Sequence, residues 1–134
     1  MNQKFGKEYK LCSQKAIEHL FQQQTKVRQF PFVMHYAVME LATKRDFQVV
    51  ISAPKRIFRK AHDRNRIKRL MREVLRKNKA PLESMLQHKN VQVALFFIYT
   101  QKEELDHDVL QKKMKLLLEK LIKQLNNIQH ENLA

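Results

Sequence analysis

The sequence predicts an α+β fold: a single two-layer sandwich in which helices cover a mixed sheet of about four strands. Three observations predict it. Apolar runs rich in β-branched and aromatic residues occupy 32–41 (FVMHYAVMEL), 47–53 (FQVVISA) and 91–99 (VQVALFFIY). Apolar residues at helical spacing precede, separate and follow those runs. No Ser/Gly linker, repeat or low-complexity block interrupts the 134 residues, so one domain fills the chain, 1–134.

The first ten residues are basic and expected to be mobile, as is the tail from Gln129. Ser13 is a suitable N-cap for a short amphipathic helix over 14–23, where Ile17, Leu20 and Phe21 stand at i, i+3 and i+4. The polar stretch Gln22-Gln23-Gln24-Thr25 ends it. The runs 32–41 and 47–53 read as strands joined through Thr43-Lys44-Arg45-Asp46 as a hairpin, and Pro54 closes the second because it has no N–H for a ladder. A long helix is predicted over 61–78, and Pro81 opens a further turn or two through Gln87. The run 91–99 is the most apolar in the chain and is expected to be a central strand. Leu110, Met114, Leu117, Leu118, Leu121, Leu125 and Ile128 then recur at helical spacing, predicting a terminal helix that covers one sheet face. The order is helix, two or three strands, helix, strand, helix.

Charge points to the partner. Lys and Arg number 27 against 13 Asp and Glu, a formal charge of +14 with a pI near 10.1, which selects polyanions: nucleic acid first, anionic membrane second. The charge concentrates on the helix 61–78. At about 100° per residue, Ile67, Leu70, Met71, Val74 and Leu75 share an apolar arc, while Arg64, Asn65, Lys68, Arg69, Arg72 and Arg76 share the other side. A merely solvated helix face alternates signs for i,i+4 pairing. Here Asp63 and Glu73 are the only acids in 55–76, and like charges packed on one face cost stability unless a polyanion neutralises them.

Other chemistries find little support. A nuclease acting through its own side chains needs clustered carboxylates or a partnered general base, and the one candidate is Glu103-Glu104-Leu105-Asp106-His107-Asp108. Acids just before a helix are expected in any case as caps and as complements to the helix dipole. The six histidines show no zinc-type spacing, and a single glycine, Gly6, excludes phosphate-cradling loops of the Walker or dinucleotide kind. Cys12 is alone, forms no intrachain disulfide and is expected to be a small packed residue. No run reaches the 18 or so apolar residues of a membrane span and the N-terminus lacks a signal-peptide core, so the expected location is the cytoplasm, with no membrane partner.

The ordered segment Arg64-Asn65-Arg66, Ile67-Lys68-Arg69-Leu70 and Arg72-Glu73, preceded by Ala61-His62 and by Ser52-Ala53-Pro54-Lys55-Arg56, resembles the signature of the protein subunit of bacterial ribonuclease P. The resemblance is dense over about a quarter of the chain. It implies the same element order, with a left-handed connection around the basic helix, against the usual preference. It also implies that a catalytic RNA subunit, through RNA-bound Mg²⁺, cleaves precursor tRNA to remove the 5′ leader, with no catalytic or metal-ligating residue in the protein. Lys55, Arg56, Arg59, Lys60, Arg64, Asn65, Arg66, Lys68, Arg69 and Arg72 would dock the RNA, and Ile17, Phe21 and Tyr36 would line a cleft for the single-stranded leader. Ile17 departs from the aromatic often found at its position, which weakens stacking there. The alternatives are a non-catalytic RNA-binding protein of ribosomal type and a membrane-surface module; the second is disfavoured because the helix's apolar arc lacks Trp and Phe and is needed for a core.

Overall fold

The computed structural model describes residues 6–133, with side chains described as far as Asn127. After a single 3-10 turn at Lys7–Tyr9, the elements run α1 (Gln14–Gln22), β1 (Lys26–Gln29), β2 (Phe32–Val38), β3 (Phe47–Ser52), α2 (Ala61–Asn78), α3 (Ala80–Lys89), β4 (Val93–Tyr99) and α4 (His107–Leu133). No described helix is long and apolar enough to cross a membrane.

The four strands form one mixed sheet in the order β1-β2-β4-β3. β4 pairs antiparallel with β2 and parallel with β3. The expected hairpin between β2 and β3 is therefore absent. The most apolar strand, β4, takes the central place because it must bury both of its edges, and its two neighbours pair with it instead of with each other. Gln92, just before β4, holds the β2–β3 connection in place: its Oε1 accepts from the Leu41 N–H at 2.8 Å, and its Nε2 donates to the carbonyls of Thr43 and Arg45 at 2.9 and 2.8 Å. The true hairpin is β1–β2, turned through Phe30-Pro31, with Lys26 opposite His35 and Gln29 opposite Phe32. β1 was not among the apolar runs because half of its four residues, KVRQ, are cations.

The two sheet faces differ. On one, Met34, Tyr36, Val49, Leu95 and Phe97 pack against Ile67, Met71, Val74 and Leu75 of α2, Leu82 and Leu86 of α3, and Leu110, Met114, Leu117, Leu118, Leu121 and Leu125 of α4. That is the main core. On the other face α1 covers only part of the sheet, with Leu20 seated on Ala37 and Ala94 beside Leu11 and Leu41. Ser13 caps α1 as expected, its Oγ accepting from the Ala16 N–H at 3.2 Å. Asn90, left-handed at φ 55°, ends α3.

The expected mobility of the first ten residues does not hold from Gly6 onward. Tyr9 is buried, and the Leu11 N–H donates to the Val49 carbonyl at 3.1 Å. Residues 1–5, and the side chains of 128–134, lie outside the described residues, and with them the rest of that expectation and the place of Ile128. Cys12 is exposed, not packed.

The pin that holds the N-terminal segment is polar. Lys79 is 3% exposed, and its Nζ lies 2.5 Å from Glu83 Oε1. The Tyr9 hydroxyl donates to Glu83 Oε2 at 2.8 Å and accepts from Lys79 Nζ at 3.3 Å. The ammonium also stands over the Tyr9 ring, 5.1 Å from its centroid. Burial alone would lower the Lys79 pKa, but its hydrogen bonds to Glu83 and Tyr9 outweigh that and raise it. Tyr9 is raised too, first by burial and then by the Glu83 carboxylate.

Candidate nucleic-acid interface

Two surfaces emerge from this fold. The first is the solvent side of α2 with the loop that enters it. Lys55, Arg56, Arg59 and Lys60 on the loop, and Asn65, Arg66, Arg69 and Arg72 on the helix, are exposed, while Arg64 and Lys68 are half-buried. A groove of about 420 Å³ runs beside Lys68 and Arg72, floored by Val49, Val50 and Ile51 of the edge strand β3 and closed by the segment Gly6, Lys7, Tyr9, Lys10 and Leu11.

Within this set, two arginines have structural duties. Arg64 turns back on the loop, its Nη1 donating to the Phe58 carbonyl at 2.9 Å and the Arg59 carbonyl at 3.0 Å. Those carbonyls precede a helix whose N-cap, Lys60, offers no side-chain cap. Arg66 bridges Glu104 at 2.7 Å and Asp63 at 3.2 Å, which raises its pKa, the Glu104 hydrogen bond first. Glu104 thus ties the approach of α4 to α2. The carbonyl of Asp106 accepts the first intrahelical bond of α4, from the Leu110 N–H at 3.0 Å. On the far flank Glu73 is held by Arg76 at 2.7 Å and Lys77 at 3.4 Å, and the Arg76 bond chiefly lowers its pKa. Among the described residues, no group of three or more His, Cys, Asp or Glu could hold a metal ion.

The Arg64 bonds predict a difference within one stripe. Arg64→Ala should cost about 1–2 kcal/mol of stability, since a charged donor is removed from two carbonyls. Arg72→Ala, fully on the surface, should stay within about 0.5 kcal/mol. Parallel urea unfolding curves check this, and equal midpoints would mean that the Arg64 bonds contribute nothing.

The second surface is the part of the sheet that α1 leaves open. Phe21, 41% exposed, leans over it, with ring centroids 4.9 Å from Phe96 and 5.0 Å from His35. Ile17 is half-buried against the same small cluster. Val33, Phe96 and Ile98, all half-buried, continue the floor. Tyr36 does not belong here. It is 3% exposed on the opposite face, inside the main core with Leu95, its register partner. Side chains alternate along a strand, so the residue facing Phe21 is His35, one position earlier. His35 is half-buried, and its Nδ1 has no partner. Burial first, then the positive charges of Lys26 and Arg28, hold its pKa below the ordinary value, so the imidazole is neutral at pH 7. Sequence reasoning missed His35 and Phe96. The run FVMHYAV is apolar on both faces, so it gave no parity, and only the pairing with β4 supplies it.

The geometry is that of a shallow aromatic cleft on one face of the sheet and a cationic helix on the other, groups that suit stacked bases and phosphates. A family model for ribonuclease P matches residues 5–122. The ribonuclease P protein component of Porphyromonas gingivalis is 35% identical over 66 residues, 49% of this chain and 48% of that protein. The chain thus spans about half the length of the curated relatives it matches. Among solved structures, the RNase P protein of Staphylococcus aureus superposes with a TM-score of 0.60 at 19% identity, covering 83% of this chain and 93% of the other. That of Thermotoga maritima gives 0.60 at 20%, covering 81% and 94%. At such identities these two establish a shared fold. The family match takes in both surfaces described above, and with it the chain belongs to the ribonuclease P protein family.

Proposed function

We propose that this chain is the protein subunit of a ribonuclease P ribonucleoprotein, which removes the 5′ leader from precursor tRNA. The catalyst is the RNA subunit, with Mg²⁺ held by RNA. The protein contributes position and charge: the exposed cations of α2 and its entry loop dock the catalytic RNA, while the cleft under Phe21 grips the single-stranded leader. The observation that carries this reading is the juxtaposition of Phe21, Phe96 and His35 in an open cleft on a chain of charge +14. Neutralising the phosphates crowded at the catalytic core lowers the Mg²⁺ concentration the RNA needs, which is where a non-catalytic cation-rich subunit gains its effect.

The test is reconstitution with a bacterial catalytic RNA at low Mg²⁺. Cleavage of precursor tRNA at the mature 5′ end is expected only when both components are present, and equal cleavage by RNA alone would remove the basis of the proposal. Within that assay, Phe21→Ala should weaken binding of leader-bearing substrate by about 1–3 kcal/mol, one stacked base, and leave mature tRNA unaffected. An equal loss for both substrates would take the leader out of the cleft.

A further inference from the structure

The β1 edge carries a second cationic surface, distinct from α2. From His19 to Met39 the sequence holds no acidic residue. Lys26 and Arg28 are exposed, paired in register with His35 and Val33 on the cleft face, and Phe30, 54% exposed, follows at the hairpin turn. This cation-cation-aromatic series recurs every second residue and spans roughly 13 Å along the strand. α4 completes the surface. Lys120 Nζ donates to the Arg28 carbonyl at 2.8 Å, and Lys123, exposed, stands one turn further on the same side. Between Val109 and Lys123 the helix has five lysines and one acid, Glu119.

Protection of an open sheet edge explains part of this, since a lysine bonded to an edge carbonyl discourages strand addition. It explains Lys120. It does not explain Lys123, or an aromatic ring left in solvent beside two cations. Exposed aromatics interleaved with cations are the arrangement that holds single-stranded nucleic acid. A purely electrostatic dock for duplex would have no use for the ring.

We propose that the β1 edge and the adjoining turn of α4 form a distal track for the 5′ leader, continuous with the cleft through Lys26 and Arg28. Nucleotides upstream of those held under Phe21 stack on Phe30 and set their phosphates against Arg28, Lys120 and Lys123. This rests on the leader-binding reading above, and it adds a prediction that reading lacks: affinity depends on leader length beyond what the cleft can hold.

The experiment compares binding of the reconstituted holoenzyme to precursor tRNAs with a leader just filling the cleft and one several nucleotides longer, across a salt series. Wild type should bind the longer leader more tightly. Phe30→Ala should cost about fivefold or more on the long leader, and K120Q and K123E should each lower its salt slope by about 0.7. All three should match wild type on the short leader. Lys123 makes no described bond within the fold, so K123E tests the track even if K120Q loosens α4. Equal affinity of wild type for both leaders, with the short leader still sensitive to Phe21→Ala, would overturn the track and leave the cleft reading intact. Equal losses on both leaders would assign the surface to the tRNA body or the catalytic RNA. Loss of binding to anionic vesicles alone would assign it to a membrane. Either outcome overturns the proposal.

Discussion

Replacing Glu83 by alanine is expected to destabilise the protein by about 3–5 kcal/mol, because it removes the carboxylate paired with the buried Lys79 ammonium. Lys79 is 3% exposed, and the same carboxylate also accepts the Tyr9 hydroxyl bond at 2.8 Å. One substitution therefore removes an ion-pair partner of a buried cation and one anchor of the N-terminal segment. The melting temperature should fall by roughly 10–20 °C, and Glu83→Gln, which keeps an acceptor but not the charge, should fall between the alanine variant and wild type. A melting temperature unchanged in Glu83→Ala would show that water reaches Lys79 freely.

The same trio sets an alkaline limit. Both Tyr9 and Lys79 are held above their ordinary values of 10.0 and 10.5 in the folded state, so the folded chain keeps protons that the unfolded chain gives up first. Stability then falls with rising pH, since the unfolded state binds fewer protons there. The contribution is complete below about pH 10 and is lost as pH rises through the two folded values. Tyr9→Phe should make the alkaline decline shallower, which urea midpoints between pH 9 and 11 would read.

Tyr36→Ala is the second large effect. A buried aromatic truncated to alanine costs about 3–5 kcal/mol through lost transfer energy and the cavity left behind, and Tyr36 sits in the main core against strand β4. Its neighbour His35 faces the opposite way, half-buried under Phe21. His35→Ala should cost far less stability and act on leader affinity instead. Denaturation curves and leader-binding titrations on the two variants separate the faces of one strand. A Tyr36→Ala protein that folds like wild type but releases the leader would reverse this assignment.

The contrast between Tyr36 and His35 marks where the sequence stops being legible. Elements whose pattern has a single buried side were readable from residues alone. The basic helix is legible at 61–78, where α2 lies, because its polar and apolar residues, Arg64 apart, separate around the axis. The run 32–41 has no such separation, so the strand was evident and its orientation was not. Arg64 is an intermediate case. At 100° per residue it falls between Met71 and Leu75, about 20° from each, inside the apolar arc at the first turn, and a cation there folds back on nearby carbonyls instead of facing solvent. Strand pairing was the least legible of all. Thr43-Lys44-Arg45-Asp46 has the length of a hairpin loop, and nothing local in it reports that a strand nearly fifty residues later will enter between its flanks.

That insertion orders events in time. A chain emerging from the ribosome can close the β1–β2 hairpin early, since its partners are near neighbours in sequence. β3 then meets no more than the N-terminal segment, through the Lys10–Val49 bridge, until residues 93–99 have been made, because among the described residues β4 is the one strand of the sheet that pairs with it. The apolar segment 47–53 must wait while α2 and α3 are synthesised, and pairing it requires closure of a long loop before any compensating contact forms. Nascent chains halted before Val93 should therefore expose one apolar strand with the edge that β4 will occupy still open, a substrate for chaperones and a site for aggregation. Synthesis of seven further residues would remove that hazard in a single step.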